Sequence, residues 1–266
     1  MSKMAIKTLT ALAMAAVIFP FLYFGGRALY VLMFLFAMFC GYEIAAAASH
    51  SGRDYLQTVV NIVIIMLYIF LGSGYFVTIS ALFLVYLFLI ELLDDTKDTD
   101  FIAYTFAMDV MVGIAINTVR VFYMYPDRGG FLLLLYVCFA CFGCDTCAYF
   151  TGVRFGRSKL IPRISPNKTV EGALGGWVGG AVLSFLFGIL ALGDMVPTGL
   201  LLCLSVILPV VSQIGDLSFS SIKRHFGIKD FGSFFPGHGG LLDRIDSLIF
   251  CLMIFQALLV IWGMFI

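Results

Sequence analysis

Charge is scarce in this chain. Only 12% of its 266 residues are Asp, Glu, Lys or Arg, against 62% hydrophobic residues, and it has three histidines and two tryptophans. With a mean hydropathy of +1.05, so little charge excludes a soluble domain of ordinary composition. Lys+Arg and Asp+Glu are equal at 16 each. A net charge of zero removes any general argument for nucleic acid or acidic partners, so only the distribution of charge informs. No low-complexity tract or internal repeat is visible, and no Ser-His-Asp or Cys-His arrangement suggests a covalent nucleophile.

Cysteine is present, but in a pattern that excludes its most specialised use. Cys138, Cys141, Cys144 and Cys147 invite an iron–sulfur reading by their spacing. They fall in an apolar helical run, where steps of three rotate by 300°. Four thiols then spread over about 180° and climb about 13 Å, so they do not converge on one cluster. Helix packing is the expected use, and no disulfide framework is indicated.

What is abundant is apolar sequence, with 28 phenylalanines. Runs near the roughly 20 residues needed to cross hydrocarbon recur along the chain. They place about nine spans, near 5–25, 28–48, 58–74, 76–93, 101–124, 131–151, 171–193, 198–215 and 246–266, with ends uncertain by roughly 2–4 residues. The N-terminal run, which follows Lys3 and Lys7, reads as an uncleaved first span rather than a signal peptide.

The expected fold is an all-α polytopic membrane protein. A single membrane domain is expected, with N-terminal helices over 1–130 and, over 131–266, the helices and loops that hold the candidate catalytic residues described below. Lys and Arg in the loops favour an N-terminus in the cytoplasm and a C-terminus outside. That orientation leaves only Arg27, Arg120 and Arg128 at or near the outer side. The two longest loops, about 152–170 and 216–245, then share the cytoplasmic face.

Within the spans, Gly172, Gly176 and Gly180, with Gly175 and Gly179 beside them, have small-xxx-small spacing. Close helix approach is expected there; no Gly-Lys-Ser/Thr follows to suggest a phosphate loop. Glu43 and Asp109 are the carboxylates most embedded in apolar sequence, with Asn117 further along the same span as Asp109. Helix-to-helix hydrogen bonding or a polar cavity wall is their expected role. The acidic run Glu91, Asp94, Asp95, Asp98 and Asp100 reads as a solvated loop.

Against this apolar background the stretch Ser212–Ser247, SQIGDLSFSSIKRHFGIKDFGSFFPGHGGLLDRIDS, stands out as polar. If the eighth span continues as helix, Gln213, Asp216, Ser220 and Lys223 form one stripe. An ionisable group at the membrane boundary, as Asp216 is, is a functional candidate. Lys223-Arg224 and Lys229-Asp230 lead into a glycine-bearing loop containing His238, Gly239 and Gly240. Such a loop turns backbone N–H groups toward an anion, and a helix beginning near Leu241 adds its positive end. Asp243 and Asp246, three apart, face one side of that helix; each could equally be a cap. With Asp216 they offer the hard oxygens that Mg²⁺ prefers. In the other loop, Asp145 shares a helix face with Tyr149 and Gly152, and Arg154, Arg157, Lys159, Arg163 and Lys168 follow. Ser165-Pro166 reads as N-cap plus first-turn proline. Lys168 and Glu171 stand nearest the membrane, whereas Arg154, Arg157 and Arg163 suit lipid headgroups.

These residues carry a family resemblance. The segment Ser220–Ser247, SSIKRHFGIKDFGSFFPGHGGLLDRIDS, resembles the signature of the CDP-diglyceride synthetases, also called phosphatidate cytidylyltransferases, and DTCAYFTG and ISPNKTVEG resemble that family's upstream blocks. The resemblance runs from about Asp145 to the C-terminus; the first 140 or so residues resemble the family only in being hydrophobic spans. It implies a polytopic, dimeric, Mg²⁺-dependent enzyme, with a second cation also a candidate, that makes CDP-diacylglycerol and pyrophosphate from CTP and phosphatidic acid. By carry-over, Asp216 and Asp243 are metal ligands, and Asp246 and Asp145 are supporting carboxylates. Lys168, Lys223, Arg224, Lys229 and His238 contact phosphate or nucleotide, with Ser165, Gly239 and Gly240 in the same binding set. Asn167 stands where the family commonly has a second lysine, which leaves one cationic contact in doubt. Cys147 stands where a smaller residue is expected.

The residues fit that reaction independently. A phosphate monoester is already anionic near neutral pH, so the task is to bring two polyanions together, by positioning and charge neutralisation. One substrate is soluble and the other lies in the bilayer, so a carboxylate-lined site at the cytoplasmic boundary of the cell's inner membrane reaches both. Two other readings stand beside it: the same chemistry on another lipid phosphate, and a transporter or channel using the intramembrane carboxylates.

Overall fold

The computed structural model describes residues 3–49, 54–124, 129–235 and 239–263. Nine α-helices run through them: α1 (Lys3–Phe24), α2 (Gly26–Ala48), α3 (Tyr55–Leu71), α4 (Phe76–Leu93), α5 (Thr99–Phe122), α6 (Gly129–Phe155), α7 (Val170–Leu192), α8 (Thr198–His225) and α9 (Leu242–Ile261). Among the described residues seven helices, α2 and α4–α9, are long and apolar enough to cross a membrane; α3 and the 13–24 part of α1 are shorter apolar helices. Helix satisfies every backbone group internally, which is what hydrocarbon demands of a spanning segment.

By its internal contacts the chain divides into two units, Met1–Arg120 with Phe226–Arg244, and Val121–His225 with Ile245–Ile266. In the first unit, Asp54 caps α3 by accepting from the Gln57 N–H at 2.9 Å. Gly72, at φ 78°, ends α3 in a backbone conformation that only glycine adopts easily, and a single 3₁₀ turn leads into α4. The apolar core holds Ala37, Cys40, Ile44, Ile65, Tyr68, Phe83, Leu87 and Met108. Polar groups cross it from helix to helix. Asn117 Nδ2 donates to the Tyr68 and Ile69 carbonyls at 3.1 and 3.3 Å. Asn61, with its amide nitrogen turned toward α5, meets Asp109 Oδ2 at 3.1 Å.

In the second unit the glycine stripe of α7 lies against α6. A Cβ at Gly176 would sit 2.7 Å from Ala148 Cβ and 2.8 Å from the Cys144 carbonyl; one at Gly179 would meet Cys147 Sγ at 2.3 Å. The stripe continues through buried Ser184 and Gly188; the helix backbones approach closely at Gly172, Gly176 and Gly180, whereas Gly188 makes room for the Tyr136 ring and the Leu201 side chain. Cysteines 138, 141, 144 and 147 are free thiols packed along α6. Tyr136 donates to the Leu201 carbonyl at 2.9 Å, and Trp177 Nε1 to the Val206 carbonyl at 2.9 Å, fastening both helices to α8.

One feature corrects the sequence reading. Between α6 and α7 the chain forms an antiparallel hairpin, β1 (Lys159–Ile161) and β2 (Ser165–Thr169), paired Lys159 to Thr169 and Ile161 to Ser165. Ser165 is therefore not an N-cap and Pro166 not a first-turn proline. Both lie in β2, where a two-stranded ribbon tolerates a missing N–H. The cap of α7 is Thr169, whose hydroxyl accepts from the Gly172 N–H at 3.1 Å. The continuation of the eighth helix considered from sequence is present: α8 runs ten residues past 215 to His225. At 28 residues it is about 42 Å long, so it overruns the roughly 30 Å hydrocarbon thickness.

Candidate active site

In the second unit the hairpin and the overrunning end of α8 bring charged groups together. Lys168, near the end of β2, forms an ion pair through Nζ with Asp216 Oδ2, each side chain about one-third exposed. Ser220, one turn on, lies with its hydroxyl 3.4 Å from Asp216 Oδ1. Gln213, one turn back, donates to the Ala173 carbonyl at 3.0 Å and so fixes the rotation of α8 against α7. The stripe expected along α8 is thus present, and strand geometry is what aims Lys168 at it.

Asp145 on α6 and Asp246 on α9 complete the cluster. Each feels the charge of Asp216, and Asp246 also feels that of Asp145; Lys168 offsets the charge at Asp145, and Lys223 that at Asp246. Asp145 is exposed, Asp216 and Asp246 are half-buried, and Lys223 is buried. Gly215 permits this arrangement. A Cβ there would fall 3.0 Å from Phe250 Cβ and 3.2 Å from the Asp246 carbonyl, so α8 and α9 touch at the level of the two carboxylates. Three carboxylates and two ammonium groups among the described residues thus act on one another.

Among the described residues no group of three or more His, Cys, Asp or Glu side chains converges as a ready metal cage. Mg²⁺ does not require one, because it keeps several waters and binds through one or two carboxylates together with substrate phosphates. The hard carboxylate oxygens of this cluster fit such an ion.

In the first unit the glycine-bearing segment folds around two carboxylates. Asp243 Oδ2 accepts from the N–H groups of Phe231 at 2.8 Å and Gly240 at 2.9 Å. Gly239, at φ 83°, has no room for a side chain: a Cβ would come within 2.8 Å of Asp243 Oδ2. The start of α9 is likewise occupied. Glu43, from α2, accepts from Leu241 N and Leu242 N, both at 2.8 Å. The Gly240 N–H and the positive end of α9, read from sequence as anion donors, are therefore directed at carboxylates of the protein itself.

The remaining predicted residues divide by position. Lys229 and Arg224 are exposed, Ser165 is half-buried in β2, and His238 lies outside the described residues. Glu171, noted beside Lys168, accepts from the Arg157 N–H at 3.0 Å and the Ser158 N–H at 3.2 Å, which ties α7 to the residues just before β1. Glu43 makes the helix-to-helix hydrogen bonds expected of it, from α2 to the start of α9. Its isolation in an apolar span was the available signal, but its partners are backbone groups nearly two hundred positions away.

A model of the Cytidylyltransferase family matches residues 5–262. The phosphatidate cytidylyltransferase of Bacillus subtilis is 42% identical over 137 residues, 52% of this chain and 51% of that protein. That of Haemophilus influenzae is 40% identical over 150 residues, 54% and 52% of the two chains. In these two alignments the chain spans about half the length of the relatives it matches. The phosphatidate cytidylyltransferase of Staphylococcus haemolyticus is 32% identical over 262 residues, 97% of this chain and 99% of that one. The span of the family match and this near full-length similarity establish that the chain belongs to the cytidylyltransferase family.

Proposed function

We propose that this protein is a CTP:phosphatidate cytidylyltransferase of phospholipid biosynthesis, forming CDP-diacylglycerol and pyrophosphate. One observation carries the reading: Lys168 pairs with Asp216 beside Asp145 and Asp246, in a chain similar over 97% of its length to a phosphatidate cytidylyltransferase.

The lipid phosphate needs no base, being already anionic near neutral pH. One of its oxygens attacks the α-phosphorus of CTP. The new P–O–P linkage forms as the bond from that phosphorus to the oxygen bridging the β-phosphate breaks, and the electron pair leaves with pyrophosphate. Lys168 and Lys223 supply fixed positive charge toward the phosphate oxygens, and Arg224, Lys229 and His238 add further cationic contacts. Asp216 and Asp246, supported by Asp145, are the residues of the second unit that would hold Mg²⁺. A Mg²⁺ ion held by these residues would supply neutralisation of phosphate charge.

In this reading all nine helices cross the inner membrane of the cell, with the N-terminus cytoplasmic and the C-terminus outside, as the Lys/Arg distribution favours. The site faces the cytoplasm, where CTP is, and the enzyme works as a homodimer, with a second cation as a further candidate ligand. Purified protein in mixed micelles tests the reaction: one pyrophosphate should appear for each cytidine lipid formed, and phosphatidate should outcompete isoprenoid and ether-lipid phosphates. Preference for another acceptor would reassign the substrate, and no pyrophosphate would remove the reaction.

A further inference from the structure

We infer that Glu43 is a positioning residue for this enzyme: its carboxylate, on the second helix, fixes the start of α9 and the glycine-bearing segment attached to it. The inference rests on the activity proposed above and goes beyond it, since Glu43 lies outside every segment that resembles the family's signature.

Three observations within the first unit support it. Glu43 is 2% exposed, and a carboxylate is not kept buried without compensating partners. Its two oxygens have them, one each: Oε1 accepts from Leu241 N and Oε2 from Leu242 N, both at 2.8 Å. Those are backbone donors at a helix start, where no intrahelical acceptor exists and negative charge is favoured. The carboxylate also sits in a notch made by glycines. A Cβ on Gly240 would come within 2.3 Å of Glu43 Oε1, and one on Gly232 within 2.5 Å of the same atom. Glycine at both positions is thus explained by the need to admit this side chain.

The consequence is a second tether on a segment that already has one. Asp243 Oδ2 gathers the N–H groups of Phe231 and Gly240 from inside the segment. Glu43 joins the same stretch to α2, and Phe39, one turn earlier on α2, packs against Phe234 with ring centroids 4.4 Å apart and the rings tilted at 49°. Local hydrogen bonds shape the turn, and α2 sets where it stands. Residues read as phosphate and metal contacts, Lys229 and Asp243, are carried on it.

Glu43→Gln tests the tether because it keeps the size and loses one acceptor, turning an amide NH₂ toward a backbone N–H. In detergent-purified full-length protein, the apparent KM for CTP should rise about fivefold or more and kcat/KM should fall at least about tenfold per folded enzyme. Hydrogen exchange of amides in 226–235 and 239–244 should accelerate while α6 and α7 are unchanged. A merely stabilising residue would lower the folded fraction and leave the KM of the surviving enzyme alone. Glu43→Asp, too short to reach both donors, should behave similarly, and Asp194→Asn, at an exposed turn, should match wild type. If Glu43→Gln does not fold, Gly232→Ala displaces the carboxylate without deleting it and should raise KM in the same way. Unchanged KM and unchanged exchange in the folded variant would overturn the inference. An inactive wild type would instead overturn the proposed reaction, and the exchange measurement would still decide the tether.

Discussion

Lys168 and Asp216, 48 positions apart, meet as an ion pair where the hairpin between α6 and α7 reaches the overrunning end of α8. Both side chains are about one-third exposed, so the pair adds little to stability, about 0–1 kcal/mol. In the proposed reaction, its value lies in aiming an ammonium at the substrate phosphates. Lys168→Ala should therefore leave the thermal midpoint in detergent nearly unchanged and lower kcat/KM by about 10²-fold or more. Lys168→Arg, which keeps charge but not the point-like geometry, should recover only part of that loss. A large drop in midpoint with proportionate activity would assign Lys168 to folding instead.

The α6–α7 interface gives a stability prediction. Gly176→Ala pushes a methyl group to 2.7 Å from Ala148 Cβ and 2.8 Å from the Cys144 carbonyl. Neither neighbour yields easily, so the variant should lose about 1–3 kcal/mol of stability. Gly74→Ala, with nothing within 4 Å of the added carbon, should be neutral. Thermal unfolding of both variants in one detergent checks the contrast.

How far this was legible from the sequence depends on the range of each interaction. Spans follow from apolar length, so each of the nine helices coincides with a run visible in the sequence. The small-xxx-small spacing of Gly172, Gly176 and Gly180 likewise identified a packing face without any partner being known. The hairpin was missed because Ser165-Pro166 has the local chemistry of a helix start. The strand pairs Lys159 with Thr169 and Ile161 with Ser165, and just beyond it the Val170 N–H bonds to the Ser158 carbonyl at 2.9 Å, contacts that no local pattern announces. Asp216 and Lys168 were each picked out, yet their meeting depends on β2 pointing one of them at the other. Glu43 was harder still: its partners are backbone amides of Leu241 and Leu242, and backbone donors leave no mark in residue identity.

Burial without partners yields a third prediction. In α5, Tyr104 Oη, Thr105 Oγ1, Asp109 Oδ1 and Asn117 Oδ1 are buried with no hydrogen-bond partner among the described residues. An orphaned hydroxyl costs about 1–3 kcal/mol, and an apolar group of the same shape relieves it. Thr105→Val should raise the thermal midpoint and leave the CTP reaction unaffected. A lowered midpoint would mean that the hydroxyl has a partner in the membrane-embedded protein.

The ion pair between Asp54 and Lys97 lies outside the spans and carries a pH dependence. Burial works against the Asp54 charge, but hydrogen bonds from Lys97 and the Gln57 N–H outweigh it and hold the carboxyl below its usual range. A carboxyl with a lowered folded-state pKa contributes stability above its unfolded value, near 3.9, and loses it as pH falls through the folded value. Asp54→Asn keeps the capping acceptor and removes the charge. It should cost about 1 kcal/mol at pH 7, and the difference from wild type should shrink steadily below about pH 4. A difference independent of pH would show that the charge is not what Lys97 stabilises.

The most direct test of the account is conversion of radiolabelled CTP to an organic-extractable cytidine lipid by membranes containing the protein. Label should enter lipid only when phosphatidate and Mg²⁺ are both present, and Asp216→Asn should reduce the rate by about 10²-fold or more at equal protein level. Absence of lipid-linked label while a positive control works, or an Asp216→Asn rate equal to wild type, would contradict it.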